Sequence, residues 1–137
     1  MPIVWKKEMA IGHQVVDDEH KLLICLINSV EIALKADNHE NIILFLIREL
    51  QGYTRSHFAQ EEKIMVERSF GGYEEHKLAH QKILHEIEEL AESVKAAIAS
   101  EHGFDAEEMK LVPLLRSWII DHVLQMDMKM KPLFHSR

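Results

Sequence analysis

Cysteine is all but missing from this chain. Cys25 stands alone among 137 residues, so no internal disulfide can form and nothing points to an oxidising compartment. Within the apolar run LLICLI it reads as a small buried hydrophobe. Glycine and proline are scarce too, with 5 and 3 copies, which leaves few places to turn and predicts long helices with few connections. The longest apolar runs, LLICLI and IILFLI, fall far short of the roughly 20 residues a membrane helix needs, and MPIVWKKEMA lacks the apolar stretch of a secretion signal. A soluble, cytoplasmic protein is expected. Positive charge is also short. The 16 Lys and Arg against 23 Asp and Glu leave a net charge of -7, and the cations are scattered, which argues against nucleic acid or membrane partners.

What the chain has instead is helical periodicity and histidine. With 47% hydrophobic residues it can bury a core of its own, and a single domain over residues 1–137 is expected. After an irregular N-terminal arm carrying Trp5, apolar residues recur at helical spacing from Val16 to Leu34 (Leu22, Leu23, Ile27, Val30, Leu34), which predicts a first helix ending in the polar run ADNHE. A second is predicted from Asn41 to Glu67, ending at SFGG, where Gly71 and Gly72 permit a sharp reversal. A third spans Tyr73 to Ser100. EHGFD interrupts the pattern, and Asp105 with Glu108 can form a capping box for a fourth helix that ends near Met130, before Pro132. Pro113 either kinks that helix or stands near its start. Four helices with short connections predict an all-α fold: an up-down-up-down antiparallel four-helix bundle with an irregular N-terminal arm.

Ten histidines are unusual in such a chain. In HFAQEEKIM, His57 and Glu61 are one helical turn apart, and so are His76 and His80 in EEHKLAH. Either pair alone is weak evidence, because a lone imidazole on an apolar stripe is more often a hydrogen-bonded core residue than a ligand. Height along the bundle is more telling. Counting from a first reversal near residues 38–39, His20 and His57 each lie roughly 19 residues away, so they sit level. Around the second, Glu61 and His80 are each roughly 10 away; around the third, His80 and His122 are roughly 20 away. All four helices thus deliver imidazole or carboxylate to one layer. Asp127, five residues past His122, is about 140° around an ideal helix from it, so a shared target requires a local widening such as a single-turn π-bulge, or a reaching aspartate, and the distortion is predicted between Trp118 and Asp127.

His20, His57, Glu61, His76, His80, His122 and Asp127 form a set too costly to bury unpaired, and a metal explains it. Seven ligands are too many for one ion and unlike a closed structural zinc site. Two ions fit. Five imidazoles, two bridging carboxylates and one bridging oxygen fall one bond short of filling two octahedral ions, and the mixed nitrogen and oxygen ligation suits iron, while also admitting manganese. Leu23, Ile24, Trp118 and Ile119, one turn from His20 or His122, read as core packing that would also wall the open position with apolar surface. Met65 and the methionines of QMDMKMKP read as core filler or tail. The other histidines, His13, His39, His85, His102 and His135, read as arm, turn, tail or solvent-facing residues. Glu62 reads as a solvated neighbour of Glu61, and Asp17 as exposed, with a hydrogen bond to a ligand imidazole as its alternative.

The order WKKEMAIGHQVVDDEHKLL, HFAQEEKIM, EEHKLAH, WIIDHVLQMD, spread over essentially the whole chain, resembles the hemerythrin family in its single-domain bacterial form. The resemblance implies two iron ions with a bridging oxo or hydroxo group that bind dioxygen reversibly. It implies His76, His80 and His122 on the filled iron, His20 and His57 on the iron with the open position, and Glu61 and Asp127 as bridges. SFGGY replaces the Tyr-Pro that many members carry before the third helix, and Pro113 is unusual in the fourth; neither touches the ligand positions. The expected role is that of an O2 carrier, store or sensor, a monomer and not an enzyme. A sensor would need a protein partner. The alternative is a di-iron enzyme reducing O2, peroxide or nitric oxide; such enzymes in four-helix bundles use Glu-x-x-His pairs, and this chain contains none.

Overall fold

The computed structural model of the chain describes residues 2–35, 40–99 and 113–134. There is no strand among them. An N-terminal arm with a 3-10 turn at Lys7–Met9 leads into α1 (Gln14–Lys35), α2 (Glu40–Glu67) and α3 (Tyr73–Ala99). The fourth helix, α4, covers 113–134 and changes its winding twice. It is α-helical over 113–117, a π-helix over Trp118–Met126 and a 3-10 helix over Asp127–Phe134. The four helices form the expected antiparallel bundle, and no described helix is long and apolar enough to cross a membrane. The capping box of Asp105 and Glu108, the stop before Glu40 and the course of the chain into Pro113 lie outside the described residues. The fourth helical segment runs past Met130 because 3-10 winding tolerates the fixed φ of Pro132, at the loss of one backbone donor.

The arm is docked rather than loose. Ile3 exchanges two hydrogen bonds with the Asn28 side chain, its N–H donating to Oδ1 at 2.9 Å and its carbonyl accepting from Nδ2 at 2.8 Å. Asp17 is neither exposed nor bonded to an imidazole. It is buried, and its carboxylate accepts the N–H groups of Ile11 (2.9 Å) and Gly12 (3.2 Å), bending the arm into α1. His13 starts that helix, its Nδ1 accepting the Val16 N–H at 3.3 Å as a cap would.

Two residues of the LLICLI stretch face the other way from what was expected. Leu22 is 54% exposed and Cys25 is exposed, while Leu23, Ile24 and Ile27 are buried. At about 100° per residue, an apolar run longer than the buried stripe must turn some of its members to water.

The reversal after α2 also differs. Ser69, not Gly71 or Gly72, takes the left-handed conformation, with φ 54°. The Phe70 N–H reaches back to the Met65 carbonyl (2.8 Å) and the Ser69 N–H to that of Val66 (3.2 Å). Phe70 packs with Met65, so this is a Schellman ending with serine where glycine is cheapest. Gly72 answers to a different constraint, since a Cβ there would stand 2.9 Å from the Phe70 ring. Ser69→Gly is expected to raise the unfolding free energy by about 0.5–1 kcal/mol, read in urea titrations, because relief of left-handed strain outweighs the added freedom of the unfolded chain.

Buried apolar residues form two clusters. The larger includes Leu23, Ile24, Ile27, Leu50, Phe58, Trp118 and Ile119; the smaller holds Ile11, Val16, Ile64, Met65 and Met130. Along α1 the order is Val16, His20, Leu23, and along the fourth helix it is Ile119, His122, Asp127, Met130. A polar layer thus crosses the bundle between two apolar plugs, each fully buried aliphatic side chain contributing about 1.5–3 kcal/mol to the seal.

Candidate metal centre

All seven residues singled out from spacing converge in that layer. His20, His57, His76 and His80 are at most 1% exposed, Glu61 and Asp127 are fully buried, and His122 is 5% exposed. α1 supplies His20, α2 supplies His57 and Glu61, α3 supplies His76 and His80, and α4 supplies His122 and Asp127. The predicted widening is present and longer than a single-turn bulge. Trp118–Met126 is π-helical throughout, and the Asp127 N–H donates to the His122 carbonyl, a bond spanning five residues. That wider turn carries Asp127 far enough round for both residues to face inward.

The two carboxylates sit at the centre. Glu61 Oε2 lies 3.0 Å from His20 Nε2 and 2.9 Å from His57 Nε2, while Oε1 is 3.1 Å from His80 Nε2. Asp127 Oδ2 lies 2.8 Å from His20 Nε2, and Oδ1 is 2.7 Å from His76 Nε2 and 2.9 Å from His122 Nε2. Despite these distances, His57 Nε2, His76 Nε2, Glu61 Oε1 and both Asp127 oxygens are buried with no aligned hydrogen-bond partner. Buried nitrogen and oxygen atoms this close together without aligned hydrogen bonds are what the ligands of a cation present.

The ligating atoms fall into two groups, each with its members within 4.8 Å of one another: Glu61, His76, His80, His122 and Asp127 in one, His20, His57, Glu61 and Asp127 in the other. Both carboxylates belong to both groups. This donor set fits two cations side by side, one with five protein donors and one with four, and it lacks the thiolates a structural zinc site favours.

Two outer carboxylates hold the rings in that pose. Glu19 Oε1 lies 2.8 Å from His57 Nδ1, and Glu62 Oε2 lies 2.8 Å from His80 Nδ1. A carboxylate accepts, so each Nδ1 carries the proton and, in a neutral ring, leaves the Nε2 lone pair facing inward. Glu62 is therefore not the solvated neighbour expected. The 100° step from Glu61 turns it into the seam between α2 and α3, where it is 23% exposed. Glu19 and Phe58 escaped the sequence reading altogether. Phe58 stacks flat on His80, with ring centroids 3.7 Å apart at 4°, and meets Trp118 edge-on at 5.9 Å. The signal for all three was adjacency, since each flanks a ligand-type residue at a helix seam. His85 is 75% exposed beside Glu89, as expected, and His39, His102 and His135 lie outside the described residues.

Electrostatics in the metal-free chain point the same way. Burial by itself depresses the ring of His20, yet the Asp127 and Glu61 oxygens 2.8 and 3.0 Å from its Nε2 outweigh it and push the ring up to about 10. His57 and His76 rise to about 9 by the same contest, burial opposed by Glu61 and Glu19 for the former and by Asp127 and Glu61 for the latter. Burial, and for Asp127 the charge of Glu61, push the two carboxyls up. The surrounding imidazoles win and hold both well below the usual carboxylate range.

Leu23, Ile24, Trp118 and Ile119 are all buried in the larger cluster, and Phe58, from the same cluster, abuts His80 and His122. Apolar packing is thus continuous up to the imidazole layer.

A family model for the hemerythrin HHE cation binding domain matches residues 12–134. Bacteriohemerythrin of Pseudomonas aeruginosa (strain LESB58) is 31% identical over 121 residues, 88% of this chain and 74% of that protein. A hemerythrin of Sipunculus nudus is 31% identical over 134 residues, 96% of this chain and 93% of that one. The crystal structure of a hemerythrin mutant superimposes with a TM-score of 0.84 at 21% identity, covering 99% of this chain and all of that one, which shows a shared fold.

Proposed function

The chain belongs to the hemerythrin family, and on that premise we propose that it binds dioxygen reversibly at a pair of iron ions, as one domain over residues 1–137, without catalysing a reaction. The observation that carries this reading is the unequal division of ligands around two shared carboxylates: five donors on one side, four on the other. When bound, the iron pair would supply the two electrons that O2 binding calls on and the open coordination position. His76, His80 and His122 would hold the filled iron, His20 and His57 the open one, and Glu61 and Asp127 would span both.

The protein's own contribution is placement and dryness. Leu23, Ile24, Trp118 and Ile119, all at most 5% exposed, line the bundle one turn beyond His20 and His122. They would exclude water and the protons it brings, so that a ligand leaves as it came. Outward Nδ1–H bonds to Glu19 and Glu62 would fix which ring nitrogen of His57 and His80 faces the layer.

The test is direct. Purified protein is expected to carry two irons per chain, to colour when the reduced form meets O2 and to bleach when the O2 pressure falls, with no peroxide released. Steady O2 consumption in the presence of a reductant would instead establish the di-iron enzyme and sink the carrier reading.

A further inference from the structure

Two observations bear on how the two metal positions differ. Glu19 and Glu62 each contact one imidazole, and the two imidazoles belong to different donor groups: His57 to the four-donor set and His80 to the five-donor set. The contact crosses a helix seam each time, from α1 to α2 and from α2 to α3. Both carboxylates are 23% exposed, so they sit at the rim, while the rings they hold are at most 1% exposed. Of the other rings, His20 and His76 have their Nδ1 atoms buried with no partner. Anionic support is thus given to one imidazole in each set and withheld from at least two others.

We propose that Glu19 and Glu62 are positioning residues that tune the two metal positions separately, Glu19 through His57 at the open one and Glu62 through His80 at the filled one. A charged acceptor on Nδ1–H fixes which nitrogen faces the metal and pushes electron density toward Nε2, making it a stronger donor. A stronger donor favours the more highly charged ion. The assignment of iron and O2 rests on the function proposed above; the positioning role does not, because it concerns the affinity of these imidazoles for any borderline cation.

Gln and Ala variants separate the two components. Glutamine keeps an oxygen to accept from Nδ1–H but removes the charge; alanine removes both. In calorimetric titrations of the metal-free chain with zinc, Glu19→Ala and Glu62→Ala are each expected to weaken one of two binding events by ten- to hundredfold, with different events affected by the two variants. Glu19→Gln and Glu62→Gln are expected to fall between wild type and Ala. In the iron-loaded chain the Gln variants should raise the midpoint potential by about 59 mV for each tenfold change in a one-electron equilibrium. Melting of the metal-free variants near the wild-type temperature serves as the control for folding. Zinc affinities within twofold of wild type in all four variants, or both Ala variants weakening the same event, would overturn the proposal. A wild-type chain that binds two zinc ions with the expected variant pattern but shows no O2 response would overturn the O2 reading and leave the positioning role standing.

Discussion

Glu61→Ala is expected to empty both metal positions at once, leaving essentially no iron in the purified protein. The fully buried carboxylate lies within 3.1 Å of the Nε2 atoms of His20, His57 and His80 and belongs to both donor groups. Removing it takes one donor from each cation and strips three imidazoles of their shared counter-charge. His20→Ala should behave differently. It subtracts from the four-donor group alone, so about one iron per chain is expected to remain with His76, His80, His122, Glu61 and Asp127. Loss of a buried ionic partner should also cost the metal-free Glu61→Ala chain about 3–5 kcal/mol of folding free energy. Iron analysis alongside urea unfolding reads both. Two irons retained in Glu61→Ala would mean that this carboxylate does not bridge.

Metal removal is expected to lower the melting temperature by on the order of 20 °C at neutral pH, because ligands scarcely assembled in the unfolded chain convert binding energy into folding energy. The gap should widen toward alkaline pH. His20, His57 and His76 have folded-state values raised to about 9–10, so their ion pairs with Glu61 and Asp127 stabilise the metal-free chain fully below about 6.5, and that contribution drains away as pH rises through 9. The two carboxyls are depressed, so their contribution is present above about 4 and lost as pH falls. The metal-free chain is therefore expected to be most stable between about pH 4.5 and 6.5. Loading must displace protons from the same imidazoles, so apparent metal affinity should rise over the range in which metal-free stability falls. Thermal scans at pH 6 and 9, with and without chelator, measure both slopes; a metal-free melting temperature that climbs across this interval would contradict the ion-pair arrangement.

The legible part of this site was the part written in periodicity. His57 with Glu61 and His76 with His80 follow from the pitch of one helix, and the level matching of His20 with His57 follows from a short connection and a fixed rise. The five-residue gap between His122 and Asp127 was legible in a more useful way. It called for either a widened turn or a reaching aspartate if both residues served one target, and the helix there is π-wound. Ser69 was not legible, because its left-handed turn is imposed by the Met65–Phe70 contact and not by its own preference. Nor were Cys25, Glu62 and Phe58, whose surroundings depend on how each helix is rotated about its axis.

Residue order by itself determined the first three helices, their approximate lengths and the height at which each of the seven polar side chains lies, since rise per residue and loop length are local quantities. Tertiary structure alone decided which side of each helix meets which neighbour. Rotation about a helix axis is set by the sum of all packing contacts, and it turned Glu19 and Glu62 onto imidazoles, Cys25 to water and Phe58 onto His80.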